Sequence, residues 1–250
     1  MAIDDELIWG IHAVLELLRS QPRQVRDITI QKGKASAKLQ EIIDLARSHQ
    51  LRLRFESRLT VPGGQVNHQG VVARVQPVAT VPLDDLLTRL DAASQPSILL
   101  ALDSIQDPHN LGAIIRSAAA AGVAGILLPK DRSASLSGTV AKVAVGAVGR
   151  VPVSMVTNLD AALRQVQEHG FWVYGAAGEA AASIYQTDFS GKVCLVVGGE
   201  GKGLRPLVRE RCDHLVAIPM QSAMESLNAS VATAVILFEM VRQRTAAGGE

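Results

Sequence analysis

The chain has 250 residues, enough for one large domain or two modest ones, and 48% of its side chains are apolar but only 3% aromatic. Its core must therefore be built from Ala, Val, Leu and Ile, and the scarcity of rings argues against a base-stacking platform for RNA. Net charge is +1, but residues 1–75 hold 11 Lys/Arg against 8 Asp/Glu and residues 76–250 hold 14 against 16, so the front is mildly basic, which suits phosphate contact and ordinary solvation equally.

Apolar residues at Ile8, Ile11, Val14, Leu15 and Leu18 predict a helix over 8–19. A strand follows at 25–30, a helix at 37–49, a strand at 51–55 and, after Pro62-Gly63-Gly64, a strand at 70–75. Residues 1–76 thus read as a small α/β domain. Pro77, Pro82 and Pro96 punctuate a linker over 77–96 with one short helix at 83–90. From Ile98 onward, strands at 98–103, 124–128, 151–153, 171–176, 193–197 and 214–218 alternate with helices at 111–121, 137–146, 159–169, 205–211 and 228–244. Continuous apolar strands separated by helices imply a parallel sheet covered on both faces over 97–246. Residues 247–250 read as a frayed tail.

Two cysteines, Cys194 and Cys212, form neither a disulfide framework nor a metal-ligand spacing, and Cys194 reads as a small buried hydrophobe. The start, Met1-Ala2-Ile3-Asp4-Asp5-Glu6, is acidic where a signal peptide is basic, and no apolar run reaches the length of a membrane span. A cytoplasmic protein is expected.

Three polar clusters follow three apolar runs. Asp107-Pro108-His109-Asn110-Leu111-Gly112, with Arg116, follows the strand at 98–103. Gly198-Gly199-Glu200-Gly201-Lys202-Gly203 follows 193–197, and Glu225-Ser226-Leu227-Asn228 comes soon after 214–218. Ligands of open α/β sheets bind outside the carboxyl ends of the strands, so the three loops predict one composite site. The glycine loop is not a P-loop, because Leu204-Arg205 stands where Lys-Ser/Thr is needed, nor a dinucleotide loop, because Gly199 and Gly201 call for a glycine at Leu204. Glu200 at its centre would also repel a phosphate. Glycines around one carboxylate instead suit a flat, mostly uncharged ligand such as adenosine lying on bare backbone. The plainer reading is a tight turn before the helix at Pro206.

Together the clusters resemble the SpoU branch of the SPOUT RNA methyltransferases over roughly residues 98–245. The matching positions are Asn110, Gly112 and Arg116; Gly199-Glu200-Gly201-Lys202-Gly203; and Ile218-Pro219-Met220 with Ser226-Leu227-Asn228. Gly10 and Val14 with His68-Gln69-Gly70-Val71 are similar to the family's N-terminal substrate-binding domain. Pro129 to Ala134 and Phe238 to Arg244 resemble the bacterial enzymes that methylate a guanosine 2′-hydroxyl in 23S rRNA. One departure is Ser222, where family members commonly carry glycine.

The resemblance implies an α/β fold: a small substrate-binding domain followed by a parallel sheet with a C-terminal trefoil knot, which topology rules alone would disfavour. It implies S-adenosylmethionine as cofactor, an RNA substrate, a homodimer and no metal. Asn110, Arg116, Glu200, Ser226 and Asn228 become the catalytic candidates. Gly198, Gly199, Gly201, Ile218, Met220 and Leu227 become the cofactor-binding ones. Helix capping is the alternative role for Asn110, Ser226 and Asn228. Glu200 could accept a substrate hydrogen bond or hold Arg116. Arg116 is physically better suited to clamping a phosphate than to taking a proton, because arginine stays protonated. The competing functions are a tRNA ribose methyltransferase, a non-catalytic RNA-binding protein of the same fold, and a nucleotide-dependent dehydrogenase weakened by the failed glycine pattern.

Overall fold

A computed structural model describes residues 6–20, 22–61, 67–75, 80–93, 95–136, 140, 143–144, 147–201, 203–221 and 226–247. The predicted helix at 137–146 falls largely outside the described residues, and Ser222 wholly so. The chain divides into two units, Met1–Val78 with Leu136–Gly146, and Ala79–Ser135 with Ala147–Glu250.

In the first unit, β1 (Glu6–Trp9), β2 (Val25–Gln31), β3 (Arg52–Glu56) and β4 (Val71–Val75) form a sheet in the order β1-β4-β2-β3. The β2 and β3 strands are parallel, and β4 runs antiparallel to β1 and β2. The helices α1 (Ile11–Ser20) and α2 (Ala37–Ser48) supply Val14, Leu18, Leu39 and Ile42 to one core with Ile28, Ile30, Val71 and Ala73 of the sheet. Strand β1 departs from the sequence reading, which put Ile8 in a helix. Ile8 pairs with Ala73, and Gly10 at φ +92° turns the chain into α1. A short apolar run just before a helix fits both periodicities, so spacing alone cannot separate them.

The second unit holds seven strands in the order β7-β6-β5-β10-β8-β11-β9, every pairing parallel. They are β5 (Ile98–Asp103), β6 (Gly125–Pro129), β7 (Val153–Val156), β8 (Trp172–Ala176), β9 (Ala182–Ser183), β10 (Val193–Gly198) and β11 (His214–Ala217). The helices are α3 (Leu83–Ala93), α4 (Pro108–Ala120), α5 (Leu159–Glu168), α6 (Pro206–Arg211) and α7 (Ala229–Ala247). Leu99, Ala101, Val173, Cys194 and Val196 pack with Leu163 and Val166 of α5, Val208 of α6 and Leu86 and Leu87 of α3. Leu86 lies directly over Gly125, so α3 is fastened to this core. On the sheet, α7 packs against β10 and also against α4. Side chains alternate faces along a strand and both faces are covered, so β5 is apolar up to its last residue, Asp103, and β10 up to Gly198, as the parallel-sheet reading expected. No described helix is long and apolar enough to cross a membrane.

Candidate active site

Because every strand of the second unit points the same way, the loops after β5, β10 and β11 open at one edge of the sheet. The edge is built from the glycine loop. Gly203 N–H donates to the Gly199 carbonyl at 3.0 Å, closing it. A Cβ on Gly198 would lie 2.2 Å from the Gly203 carbonyl carbon, and one on Gly199 would lie 2.5 Å from the Ser104 carbonyl oxygen. Only bare backbone fits there, and Gly201 and Gly203 take positive φ of +76° and +60°.

A residue that sequence reasoning passed over latches this loop. Asp103, the last residue of β5, is fully buried; its Oδ2 accepts from the Arg205 backbone N–H at 2.8 Å and its Oδ1 from Arg205 Nε at 2.5 Å. The available signal was an acidic residue ending a strand that is otherwise entirely apolar. A buried carboxylate needs such a partner.

Three predicted residues, distant in sequence, meet beside the loop. Asn110 Nδ2 donates to Glu200 Oε1 at 2.8 Å, and Asn228 Nδ2 donates to the same oxygen at 2.6 Å and to Asn110 Oδ1 at 3.0 Å. The capping alternative for Asn110 fails. Asp107 is the N-cap, its Oδ1 accepting from His109 N–H at 2.9 Å, with Pro108 opening the helix, so Asn110 lies inside α4 and is 8% exposed. For Asn228 both roles hold. Its Oδ1 accepts from Ser230 N–H at 2.9 Å and from the Ser230 hydroxyl at 2.6 Å, capping α7 while Nδ2 faces Glu200. Glu200 binds the two amides and not Arg116, and all its described bonds fall on Oε1. Arg116 is exposed on α4, about 9 Å along the helix axis from Asn110.

Next to this triangle lies an open cleft of about 1180 Å³. Gly198, Gly199, Gly201, Ile218, Met220 and Leu227 all line it, as do Glu200, Ser226 and Asn228, while Ala232 and Ile236 of α7 contribute apolar floor. Ala176 to Ala181, after β8, line it too and had not been singled out. Apart from Glu179 these are alanines and a glycine, which gave no chemical signal; only the strand order, with β8 beside β10 and β11, brings the segment in. Of the described carboxylates on the cleft wall, Glu179 is held below its usual range by its own backbone N–H and by its partner Arg209. Glu200 has no cationic partner among the described residues. Burial pushes the Cys194 thiol upward and the Cys212 thiol up to about 12, so neither is a ready nucleophile.

Residues 97–238 match the model of the SpoU rRNA Methylase family, and residues 7–81 match that of RNA 2′-O ribose methyltransferase substrate binding. The 23S rRNA (guanosine-2′-O-)-methyltransferase RlmB of Xanthomonas campestris pv. campestris is 47% identical over 249 residues, 99% of this chain and all of that one. The protein of the same description from Escherichia coli K12 is 45% identical, over 96% of this chain and 99% of that one. Among solved structures, the SpoU methyltransferase AviRb from Streptomyces viridochromogenes, in complex with AdoMet, shares the fold with a TM-score of 0.66 at 24% identity, covering 96% of this chain and 90% of that one.

Proposed function

The chain belongs to the SpoU rRNA methylase family, and we propose that it transfers a methyl group from S-adenosylmethionine to a guanosine 2′-hydroxyl of 23S ribosomal RNA. The observation that carries this is near-complete coverage at 47% identity by an enzyme described with that activity, with the second and third motifs on one cleft and Asn110 of the first bonded to Glu200 and Asn228 on its wall.

The cleft suits the cofactor. It is large enough for a nucleoside with its methionine arm, and the glycines of the loop leave bare backbone along its wall. Main-chain groups of Gly198, Gly199, Gly201, Ile218, Met220 and Leu227 would hold the adenosine. When bound, S-adenosylmethionine supplies the electrophilic methyl. The protein's own part is to bring a ribose oxygen in line with that methyl and to hold it there, which positioning alone makes worth about 7–11 kcal/mol. Asn110 and Asn228 fix Glu200 through Oε1, leaving Oε2 to accept a hydrogen bond from the substrate hydroxyl. Arg116 grips the phosphate next to that ribose. Ser226, exposed on the cleft wall, donates its hydroxyl to substrate or cofactor.

Residues 1–76 serve as the RNA-binding domain and 97–246 as the methyltransferase domain; of the 77–96 stretch between them, α3 packs on the core of the second unit and joins the methyltransferase domain. The trefoil knot belongs to the same reading; what supports it is β10 inserted between β5 and β8, with β11 beyond β8. A homodimer is supported by Val231 and Phe238, about half exposed on α7. The protein works in the cytoplasm, with its ribosomal substrate.

The test is transfer of labelled methyl from S-adenosylmethionine to purified 23S rRNA and, separately, to tRNA. Label confined to 23S rRNA, at a guanosine 2′-hydroxyl, is the expected result. Label on tRNA alone, or on neither, overturns the reading.

A further inference from the structure

We infer that the first unit binds the RNA phosphate backbone at one end of its sheet, through Lys32, Lys34, Lys38 and Arg58. The inference rests on the RNA-methyltransferase reading and adds where the substrate's backbone is gripped.

Topology gathers these cations. The β1, β2 and β3 strands all run oppositely to β4, so their carboxyl ends lie together. Lys32 and Lys34 follow β2, Arg58 follows β3, and Lys38 lies in the first turn of α2, which starts at the same end. Ligands of such sheets collect where the strands terminate. All four side chains are exposed, and among the described residues none of them meets a carboxylate. Glu56 is the one acidic side chain in the described part of these loops. Elsewhere in the unit, three arginines are held by carboxylates: Arg19 pairs with Glu41, and Arg54 and Arg74 flank the buried Asp27.

Two of the lysines are held in place rather than free to wander. The stem of Lys34 crosses Gly70 so closely that a Cβ there would lie 2.9 Å from Lys34 Cδ, and Gly70 needs φ +87°. Lys38 Nζ lies 3.2 Å from His12 Nε2, tying the first turns of α1 and α2. One amide of each helix start is capped by a side chain: Gln69 Oε1 accepts from Ile11 N–H at 2.9 Å and Ser36 Oγ from Leu39 N–H at 3.1 Å. The anion is drawn chiefly by the ammonium and guanidinium groups. Trp9, the last residue of β1, and Phe55, the last but one of β3, are 39% and 45% exposed near the same end of the sheet.

The full-length protein is titrated with transcribed 23S rRNA at several salt concentrations, as wild type, as K32A/K34A/K38A, and as R23A/R47A/R52A. The last removes equal charge from exposed arginines outside this cluster. The lysine variant is expected to bind about 100-fold more weakly near 0.1 M salt, with the slope of log K against log salt reduced by about 2 to 3. Its S-adenosylmethionine affinity, read by calorimetry, stays at the wild-type value, and circular dichroism and thermal melting that match the wild type report an intact first unit. The arginine variant keeps near-wild-type affinity and slope. An unchanged slope in the lysine variant, or an equal loss in the arginine variant, overturns the inference. Binding is read without turnover, so a wild type that binds 23S rRNA but does not methylate it would refute the proposed function alone.

Discussion

Arg116 stands exposed on α4 without a hydrogen-bond or ion-pair partner among the described residues, whereas Glu200 is tied to two asparagines. That contrast separates their expected phenotypes. An unpartnered surface arginine contributes little to the fold, so Arg116→Ala should shift stability by no more than about 0.5 kcal/mol. It should bind S-adenosylmethionine as wild type does by calorimetry, yet lose on the order of 100-fold in methyl transfer, because the ribose is no longer oriented. Wild-type turnover in that variant would remove Arg116 from the mechanism. Glu200→Gln retains an oxygen that can accept both amide bonds but puts a donor where Oε2 was. The melting temperature should stay within a few degrees, and kcat should fall by about 10–100-fold with little change in cofactor affinity. A large drop in stability with kcat preserved would mean that Glu200 only braces the loops.

At the scale of elements, the glycine loop matters most, since it is pinned at Asp103–Arg205 and pressed against the chain after β5. A methyl on Gly199 cannot be absorbed by a flexible side chain, because the atom it meets is the Ser104 backbone carbonyl at 2.5 Å. Gly199→Ala must move the loop, and overpacking strain of about 1–3 kcal/mol makes the S-adenosylmethionine Kd rise by about 10–100-fold in calorimetry. Unchanged affinity would show that this loop does not shape the cofactor site. The same element marks what could be read from residues alone. Apolar runs announced β5 and β10, and the polar residues after them announced the site. Asp107-Pro108 carried a capping signal that places the start of α4 three residues before the predicted one, yet a cap at Asn110 fitted the pattern as well. The Glu6–Trp9 strand, the two-residue Ala182–Ser183 strand and the Asp103 latch stayed hidden. Each depends on a partner far along the chain, and no local periodicity reports such a partner.

For the molecule as a whole, α7 poses a question of burial. Ile236, Leu237 and Met240 are buried in the protomer's own core, yet Val231 and Phe238, seven residues apart and so on one face, remain 48% and 49% exposed. A helix apolar on all sides is normally covered on all sides. A second copy is the cover that closed symmetry supplies most simply, since in a two-fold interface the same patch is buried from both protomers. Covering a valine and a phenylalanine fully contributes about 1.5–3 kcal/mol each, an upper figure for half-exposed side chains but one that counts twice in the dimer. The wild type is therefore expected to sediment as a dimer at micromolar concentration, and Val231→Glu/Phe238→Glu as a monomer. Neither side chain packs in the protomer's core, so the monomer should keep its helical circular dichroism. If the cleft needs the partner for its final shape, methyl transfer falls together with dimer content across a dilution series. A wild type that is monomeric at these concentrations, or a variant that dimerises as tightly, would mean that the α7 face is covered by something other than its own copy.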